Sequence, residues 1–245
     1  MITPGRLLLL LLAAASLLVD LALVANIGSP DPSSARVGCL LGLLLGQIGL
    51  LASLWVKRPE AWPCWLPITF AGIATGSVLL ASLGKVPLLH WTILLSIFAT
   101  LCVALPTIYR IGHGEAKSQF SLSAIFALTT VATLICYVVL HSDFPWEQLP
   151  IALPGLMVWS SPAMVIGLTL VDHRHGSRRQ LATGLGAILA ISVAAAFLLP
   201  DLWNRLPLVI AWESIYLMIA GSVVLQARDN DTAEILPKAT LSEDV

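Results

Sequence analysis

The sequence predicts an all-α fold, a polytopic bundle of eight transmembrane helices that forms a single integral membrane domain. Composition is the first observation, because 58% of the 245 residues are hydrophobic, 11% are charged and the mean hydropathy is +0.90. So few charges cannot cover the surface of a soluble domain, and lipid must therefore solvate most of the chain. Spacing is the second observation, because the apolar residues fall in runs of roughly 20, the length that crosses a hydrocarbon core about 30 Å thick.

The spans follow one another with short polar loops between them. We place them at residues 7–27, 37–56, 65–84, 87–109, 121–141, 150–171, 181–200 and 206–226, followed by a polar tail at 227–245. Helix-breaking residues mark several boundaries: Ser29-Pro30-Asp31-Pro32, Lys57-Arg58-Pro59, Pro87, Pro150 and Pro207. Indole side chains favour the membrane interface, and six of them lie at or near predicted ends: Trp55, Trp62, Trp65, Trp91, Trp146 and Trp203. Breaks and interfacial residues thus agree on the boundaries.

The first span has a second interpretation as a signal peptide. Arg6 precedes a leucine run, and Ala13-Ala14-Ala15-Ser16 resembles a small-residue cleavage site. The apolar stretch continues through Asp20 to Val24, however, which is longer than the apolar region of an ordinary signal peptide. We therefore expect the span to be retained; its removal would leave seven spans with the same orientation.

Basic residues concentrate on one side of the predicted membrane. That side carries ten of the 13 Lys and Arg residues: Arg6, Lys57, Arg58, Arg110, Lys117, Arg174, Arg178, Arg179, Arg228 and Lys238. The other side carries three: Arg36, Lys85 and Arg205. Because Lys and Arg accumulate in cytoplasmic loops, both termini are predicted to be cytoplasmic. The near-balance of 13 basic and 14 acidic residues argues against a nucleic-acid partner, which requires a concentrated basic face.

An internal repeat is predicted from three matches in the same order. Residues 65–83 align with 180–198, pairing Ile73 with Ile188, Ser77 with Ser192 and Ala81 with Ala196. Lys85-Val86-Pro87-Leu88 likewise aligns with Arg205-Leu206-Pro207-Leu208, and Ile48-Gly49-Leu50 with Ile166-Gly167-Leu168. A tandem duplication of four helices predicts parallel halves, 7–110 and 121–226, related by an axis along the membrane normal. The alternative is chance similarity between apolar helices.

Small residues predict where the helices pack. Gly38, Gly42 and Gly46 form a stripe in the second span, and Gly72 and Gly76 repeat the spacing in the third. Without a Cβ, such faces allow close backbone approach. We expect packing within the monomer, with a homo-oligomer contact as the alternative. In the sixth span, Pro154, Ser160, Ser161 and Pro162 predict an interrupted or kinked helix.

Polar residues within the spans are the candidates for chemistry. Asp20, His90 and Glu213 are the main ionisable groups there, and all three fall in the outer half of the predicted membrane. Their neutral companions are Gln47, Ser77 and Ser192. An isolated charge in hydrocarbon costs several kcal/mol, so each carboxyl group must face a cavity, find a partner or carry a proton. We predict a polar cavity open to the extracytoplasmic side; the alternative is a set of structural interhelical hydrogen bonds.

No catalytic signature stands out, and the four cysteines lack the CxxC spacing of a metal or redox site. The predicted polar cavity favours a small transporter or channel-like protein, and the lack of a catalytic motif makes an enzyme the less favoured class. Short loops without a soluble domain favour instead a non-catalytic accessory or assembly subunit. An intramembrane enzyme is the third class. The expected partners are the lipid bilayer and either other membrane subunits or a second copy of the chain; no residue pattern identifies a cofactor or a metal site.

Overall fold

The computed structural model describes residues 4–27, 34–57, 62–83, 86–112, 143–171, 178–198 and 206–239. Within these ranges the secondary structure consists of helices: α1 Pro4–Ile27, α2 Ser34–Lys57, α3 Trp62–Leu83, α4 Leu88–Gly112, α5 Leu149–Val171, α6 Arg178–Leu198 and α7 Leu206–Ala239. A short 3₁₀ turn, Trp146–Gln148, precedes α5. The fold is therefore all-α throughout the described part of the chain.

Each of these helices coincides with a predicted span, and the remaining prediction at 121–141 lies outside the described residues. Two differences appear. The last helix does not stop near residue 226 but continues to Ala239, so the first part of the predicted polar tail is helical. Of the two alternatives predicted for the sixth span, the interruption is wrong, because α5 is one continuous helix that contains both Pro154 and Pro162, and the kink stays a prediction. Ser160 and Ser161 each donate a hydroxyl hydrogen bond to a carbonyl three residues earlier, at 3.0 and 2.6 Å.

Five described helices contain stretches long and apolar enough to cross a membrane. These are Val37–Leu54, Leu66–Leu83, Leu88–Tyr109, Leu153–Leu170 and Pro207–Gln226. A shorter apolar stretch, Ala14–Leu23, lies in α1. Large apolar side chains on the outer helices are exposed, including Phe197 at 83% and Ile191 at 69%. Such surfaces need lipid as their solvent, and the protein is therefore an integral, multi-pass membrane protein.

Four helices build the core. The central pair is α2 and α5, and both members of the pair pack against α4 on one side and α7 on the other. Leu45, Phe98, Ile166 and Leu217, one from each helix, are among the fully buried side chains of this core. The other helices lie around it: α3 packs on α2 and α4, α6 packs on α5 and α7, and α1 packs on α7 and α2.

The four core helices run in the same direction, as their contacts show. Along α2, the glycines at 38, 42 and 46 face Leu208, Glu213 and Tyr216 of α7 in turn, so both helices advance together. Farther along α2, Gly49 faces Ala163 of α5, and Ser53 faces Gly167 one turn later. Contacts between α4 and α5 follow the same order, because His90 lies beside Asp143 whereas Pro106 lies against Gly167.

The parallel α2–α7 pair depends on the missing side chains of α2. A Cβ on Gly42 would meet the carbonyl oxygen of Val209 and would lie 3.1 Å from the amide nitrogen of Glu213. A Cβ on Gly46 would lie 2.8 Å from the Tyr216 ring. Backbone-to-backbone contact of this kind replaces the hydrophobic driving force that lipid removes. On α3, Gly76 faces Leu95, and Gly72 lies in ordinary contact with Leu51.

Candidate functional site

Asp20 and Gln47 meet at the interface of α1 and α2. The Gln47 side-chain amide donates a hydrogen bond of 2.7 Å to Oδ2 of Asp20. Asp20 is 2% exposed, and its second oxygen, Oδ1, is buried without a hydrogen-bond partner. The pair therefore satisfies half of a carboxyl group and leaves the other half available for a ligand or a proton.

Tyr216 of α7 lies close to this pair. Its ring lies over Gly46, one residue before Gln47, and the absent Cβ leaves the space that the ring occupies. Ser16, one turn before Asp20 on α1, donates a hydrogen bond of 3.3 Å to the Tyr216 hydroxyl. Asp20 lies within electrostatic range of both Tyr216 and the Cys39 thiol. Polar side chains from α1, α2 and α7 thus converge at one depth of the bundle.

Glu213 lies in the core, one turn from Tyr216 on α7. It is 0% exposed, and neither Oε1 nor Oε2 has a hydrogen-bond partner. Its backbone packs on Gly42 of α2, and its carboxyl group lies within electrostatic range of the fully buried Cys102 of α4. An unpaired carboxylate in such surroundings costs several kcal/mol, which favours the neutral acid over the charged form.

Other polar atoms of the core also lack partners. The hydroxyl of Ser214, which follows Glu213, is buried without a hydrogen bond. The indole nitrogens of Trp91 on α4 and Trp159 on α5 are buried and unpartnered as well, and both side chains pack against the core. Trp91 lies one turn before Leu95, which contacts Gly76 of α3, and Trp159 lies one turn before Ala163, which contacts Gly49 of α2. Both indoles therefore lie within about one turn of the depth of Glu213. Unpaired buried donors and an unpaired acid are thus present in the same half of the bundle.

His90 lies at the start of α4 in a separate aromatic group. Its Nε2 is 3.4 Å from the carbonyl oxygen of Asp143, and its ring makes an edge contact with Phe144 at 5.2 Å. Phe144 in turn packs on Trp146 at 4.6 Å. His90 is half-buried and holds the start of α4 to the segment that precedes α5. It shares none of the recorded partners of Asp20 or Glu213.

Ser77 and Ser192 bond to their own helices. The Ser77 hydroxyl donates to the Ile73 carbonyl at 2.7 Å, and the Ser192 hydroxyl donates to the Leu189 carbonyl at 2.8 Å. Both side chains are buried, Ser77 on α3 and Ser192 on α6. Of the six candidate polar residues, the structure therefore brings Asp20 and Gln47 into direct contact. Glu213 lies one turn from their neighbour Tyr216, and the other three bond elsewhere.

Sequence reasoning missed Tyr216 and Ser16. Ser16 precedes Asp20 by four residues, and Tyr216 follows Glu213 by three, so each shares a helix face with a residue that the sequence did single out. Applying helical spacing to Asp20 and Glu213 would have found both.

No family model, no curated protein and no solved structure matches this chain.

Proposed function

We propose that the protein is a small proton transporter of eight spans, in which Glu213 binds and releases the proton. The observation that carries this proposal is the placement of Glu213, a fully buried acid with two unpartnered oxygens among the parallel core helices. A purely structural glutamate would have its oxygens hydrogen-bonded, because unpaired polar groups in lipid are costly. An acid without partners fits a group that exchanges its proton when the bundle opens.

The pattern of helix contacts supports two related halves. Six helices form two sets of three, in which α2, α3 and α4 correspond to α5, α6 and α7. When corresponding helices are exchanged, the α2–α5 contact stays the same and every other contact among the six becomes another contact that is present in the structure. The α2–α7 contact becomes α5–α4, α2–α4 becomes α5–α7, α2–α3 becomes α5–α6, and α3–α4 becomes α6–α7. This is the pairing that the sequence repeat predicts, and it corresponds to a twofold axis along the membrane normal. The residue register differs by about one turn, since Gly167 faces Ser53 rather than Gly49.

Chain direction supports the eighth span. Gly112 ends α4, Asp143 lies beside the start of α4, and α4 and α5 are parallel. The 30 residues from 113 to 142 must therefore connect opposite ends of the bundle, and the predicted span at 121–141 falls within them. With the positive-inside rule, this frame assigns both termini to the cytoplasm and Glu213 to the outer half.

The chemistry requires two states of Glu213. When the core is sealed, the carboxyl group is neutral and holds its proton. When one half rocks against the other, water reaches the carboxyl group from the two sides of the membrane in turn, so that the group takes up a proton from one side and releases it to the other. The α2–α7 contact joins the two proposed halves, so the α2 glycines that receive Leu208, Glu213 and Tyr216 lie where such a motion would occur.

Proton flux into proteoliposomes tests the proposal. The purified protein is reconstituted around a pH-sensitive dye, and a potassium diffusion potential set with valinomycin drives proton entry. We expect uptake in wild-type vesicles and at least a tenfold loss in Glu213→Gln, because the amide cannot exchange a proton. Glu147→Gln makes the same chemical change at an exposed position before α5 and should retain the wild-type rate.

Two outcomes would contradict the proposal. Flux that persists unchanged in Glu213→Gln would exclude this residue as the proton carrier. An absence of flux in wild-type vesicles, together with stable co-purification of other subunits in mild detergent, would favour the accessory role instead.

A further inference from the structure

A buried carboxyl oxygen of Asp20 has no role in the proton transport proposed for Glu213. Oδ1 of Asp20 has no hydrogen-bond partner, although Asp20 is 2% exposed. Gln47 on α2 bonds to the other oxygen of Asp20, Ser16 lies one turn earlier on the same helix, and Tyr216 on α7 accepts from Ser16 and lies within electrostatic range of Asp20. We refer to these four residues as the Asp20 cluster.

Three helices position the members of the Asp20 cluster independently of one another. Ser16 and Asp20 share one face of α1, four residues apart. Gln47 is oriented by its 2.7 Å hydrogen bond to Oδ2, and Tyr216 is held by its packing on Gly46 and by the hydrogen bond from Ser16. Because the Ser16 proton is donated to the Tyr216 oxygen, the Tyr216 hydroxyl retains its own proton and a second lone pair.

Every member of the Asp20 cluster carries a side-chain oxygen, and Asp20 supplies the one negative charge. Oxygen donors select hard cations, and a divalent ion is ordinarily bound by more than one carboxylate. One carboxylate with neutral hydroxyl and amide oxygens therefore matches a monovalent ion. Binding of the ion would pair the unpartnered oxygen and remove the cost of an isolated charge at this depth.

We propose that the Asp20 cluster binds a monovalent alkali-metal cation, with Asp20 and Tyr216 as principal ligands. This inference goes beyond the transport proposal, because a cation at this position links α1 to α2 and α7 whether or not Glu213 carries protons. The cation would stabilise the docking of α1, whose recorded contacts are with α7, α2 and, to a smaller extent, α3.

Thermal unfolding of the purified full-length protein in detergent provides the test. Tm is measured while sodium chloride replaces choline chloride at constant pH and constant ionic strength. We expect Tm to rise with sodium and, above Kd, to keep rising with the logarithm of its concentration, because a ligand that binds the folded state stabilises it by RT ln(1 + [L]/Kd). Asp20→Asn should abolish the dependence on sodium. Asp143→Asn, the same change at an exposed position, should retain it.

A milder variant keeps the proposal testable if Asp20→Asn fails to fold. Tyr216→Phe removes one oxygen and keeps the ring that packs on Gly46, so the protein should fold and require roughly tenfold more sodium for the same rise in Tm. Glu213→Gln should respond to sodium like the wild type, which separates this site from the transport proposal. A Tm of the wild type that does not depend on sodium, or a dependence that survives in Asp20→Asn, would overturn the inference.

Discussion

At the residue scale, the two buried acids Asp20 and Glu213 have different surroundings. Asp20 has a hydrogen-bonded amide and nearby hydroxyl groups, whereas Glu213 is surrounded by apolar core and has no partner for either oxygen. Both were predicted to lie in the outer half of the membrane, yet their surroundings favour different chemistry. Asp20 lies at a helix interface where a ligand can complete its coordination, and Glu213 lies where a neutral acid is the stable form.

The neutral state of Glu213 can be observed directly. We expect a protonated carboxyl C=O band in the infrared spectrum of the wild-type protein at neutral pH, because the sealed core does not stabilise the carboxylate. Glu213→Gln should remove this band, and Glu147→Gln should leave it in place. A wild-type spectrum that matches the Glu213→Gln spectrum would show that Glu213 is ionised and would contradict this assignment.

The Asp20–Gln47 hydrogen bond should contribute measurably to stability. We expect Gln47→Leu to destabilise the protein by about 1–3 kcal/mol in sodium-free buffer, because it leaves a buried oxygen without a donor. Asp20→Leu in the Gln47→Leu background should cost much less than Asp20→Leu alone, because the donor is already absent. Unfolding measurements on the four proteins of this double-mutant cycle test the coupling; additive effects would show that the two side chains do not interact.

At the element scale, glycine positions decide which helices approach closely. The stripe on α2 brings the α7 backbone against it, and this contact positions both Glu213 and Tyr216. The apolar sequences of α3 and α6 would pack equally well by hydropathy alone, yet they lie outside the core pair. Shape rather than hydrophobicity therefore selects the neighbours, because lipid is as apolar as the helices themselves.

Two glycine-to-alanine variants separate packing from helix propensity. Gly42→Ala should lower stability by about 1–3 kcal/mol, because the new methyl group meets backbone atoms of Val209 and Glu213 that cannot rotate away. Gly186→Ala on α6 is the matched control, since no atom lies within 4 Å of its new Cβ. The control should be neutral or stabilising by up to about 1 kcal/mol through helix propensity. Equal Tm shifts for the two variants would argue against the close α2–α7 contact.

At the scale of the whole molecule, four parallel helices form the core and antiparallel helices lie outside it. In the proposed eight-span frame, consecutive spans alternate in direction, and the four parallel core helices are every second span. This arrangement explains why α2 and α5 can be neighbours although they are far apart in sequence. The proposed eighth span provides the return of the chain between the parallel helices α4 and α5.

Cysteine accessibility tests that return. In a variant that lacks the native cysteines at 39, 64, 102 and 136, single substitutions Gly112→Cys and Asp143→Cys report the two ends of α4. We expect a membrane-impermeant maleimide to label Asp143→Cys from outside intact cells and to label Gly112→Cys after the cytoplasmic face is opened. Labelling of both positions from the same side would contradict the eight-span frame.

The sequence alone located seven of the described helices, because apolar runs of membrane length and the breaks between them are local features. It also identified Asp20 and Glu213 as costly residues, since cost in lipid depends on residue type and depth. It could not show that Pro154 and Pro162 would leave α5 continuous, because neighbouring contacts determine whether proline interrupts a helix.

Only the tertiary structure decided how the candidate residues are grouped. It joined Asp20 to Gln47 and Tyr216 to Ser16, left both oxygens of Glu213 without a partner and held His90 in a separate aromatic group. These differences depend on the rotation of each helix and on which helix lies beside it. Hydropathy does not encode either property once the solvent is lipid, because rotation and neighbour choice follow from side-chain shape across the interface.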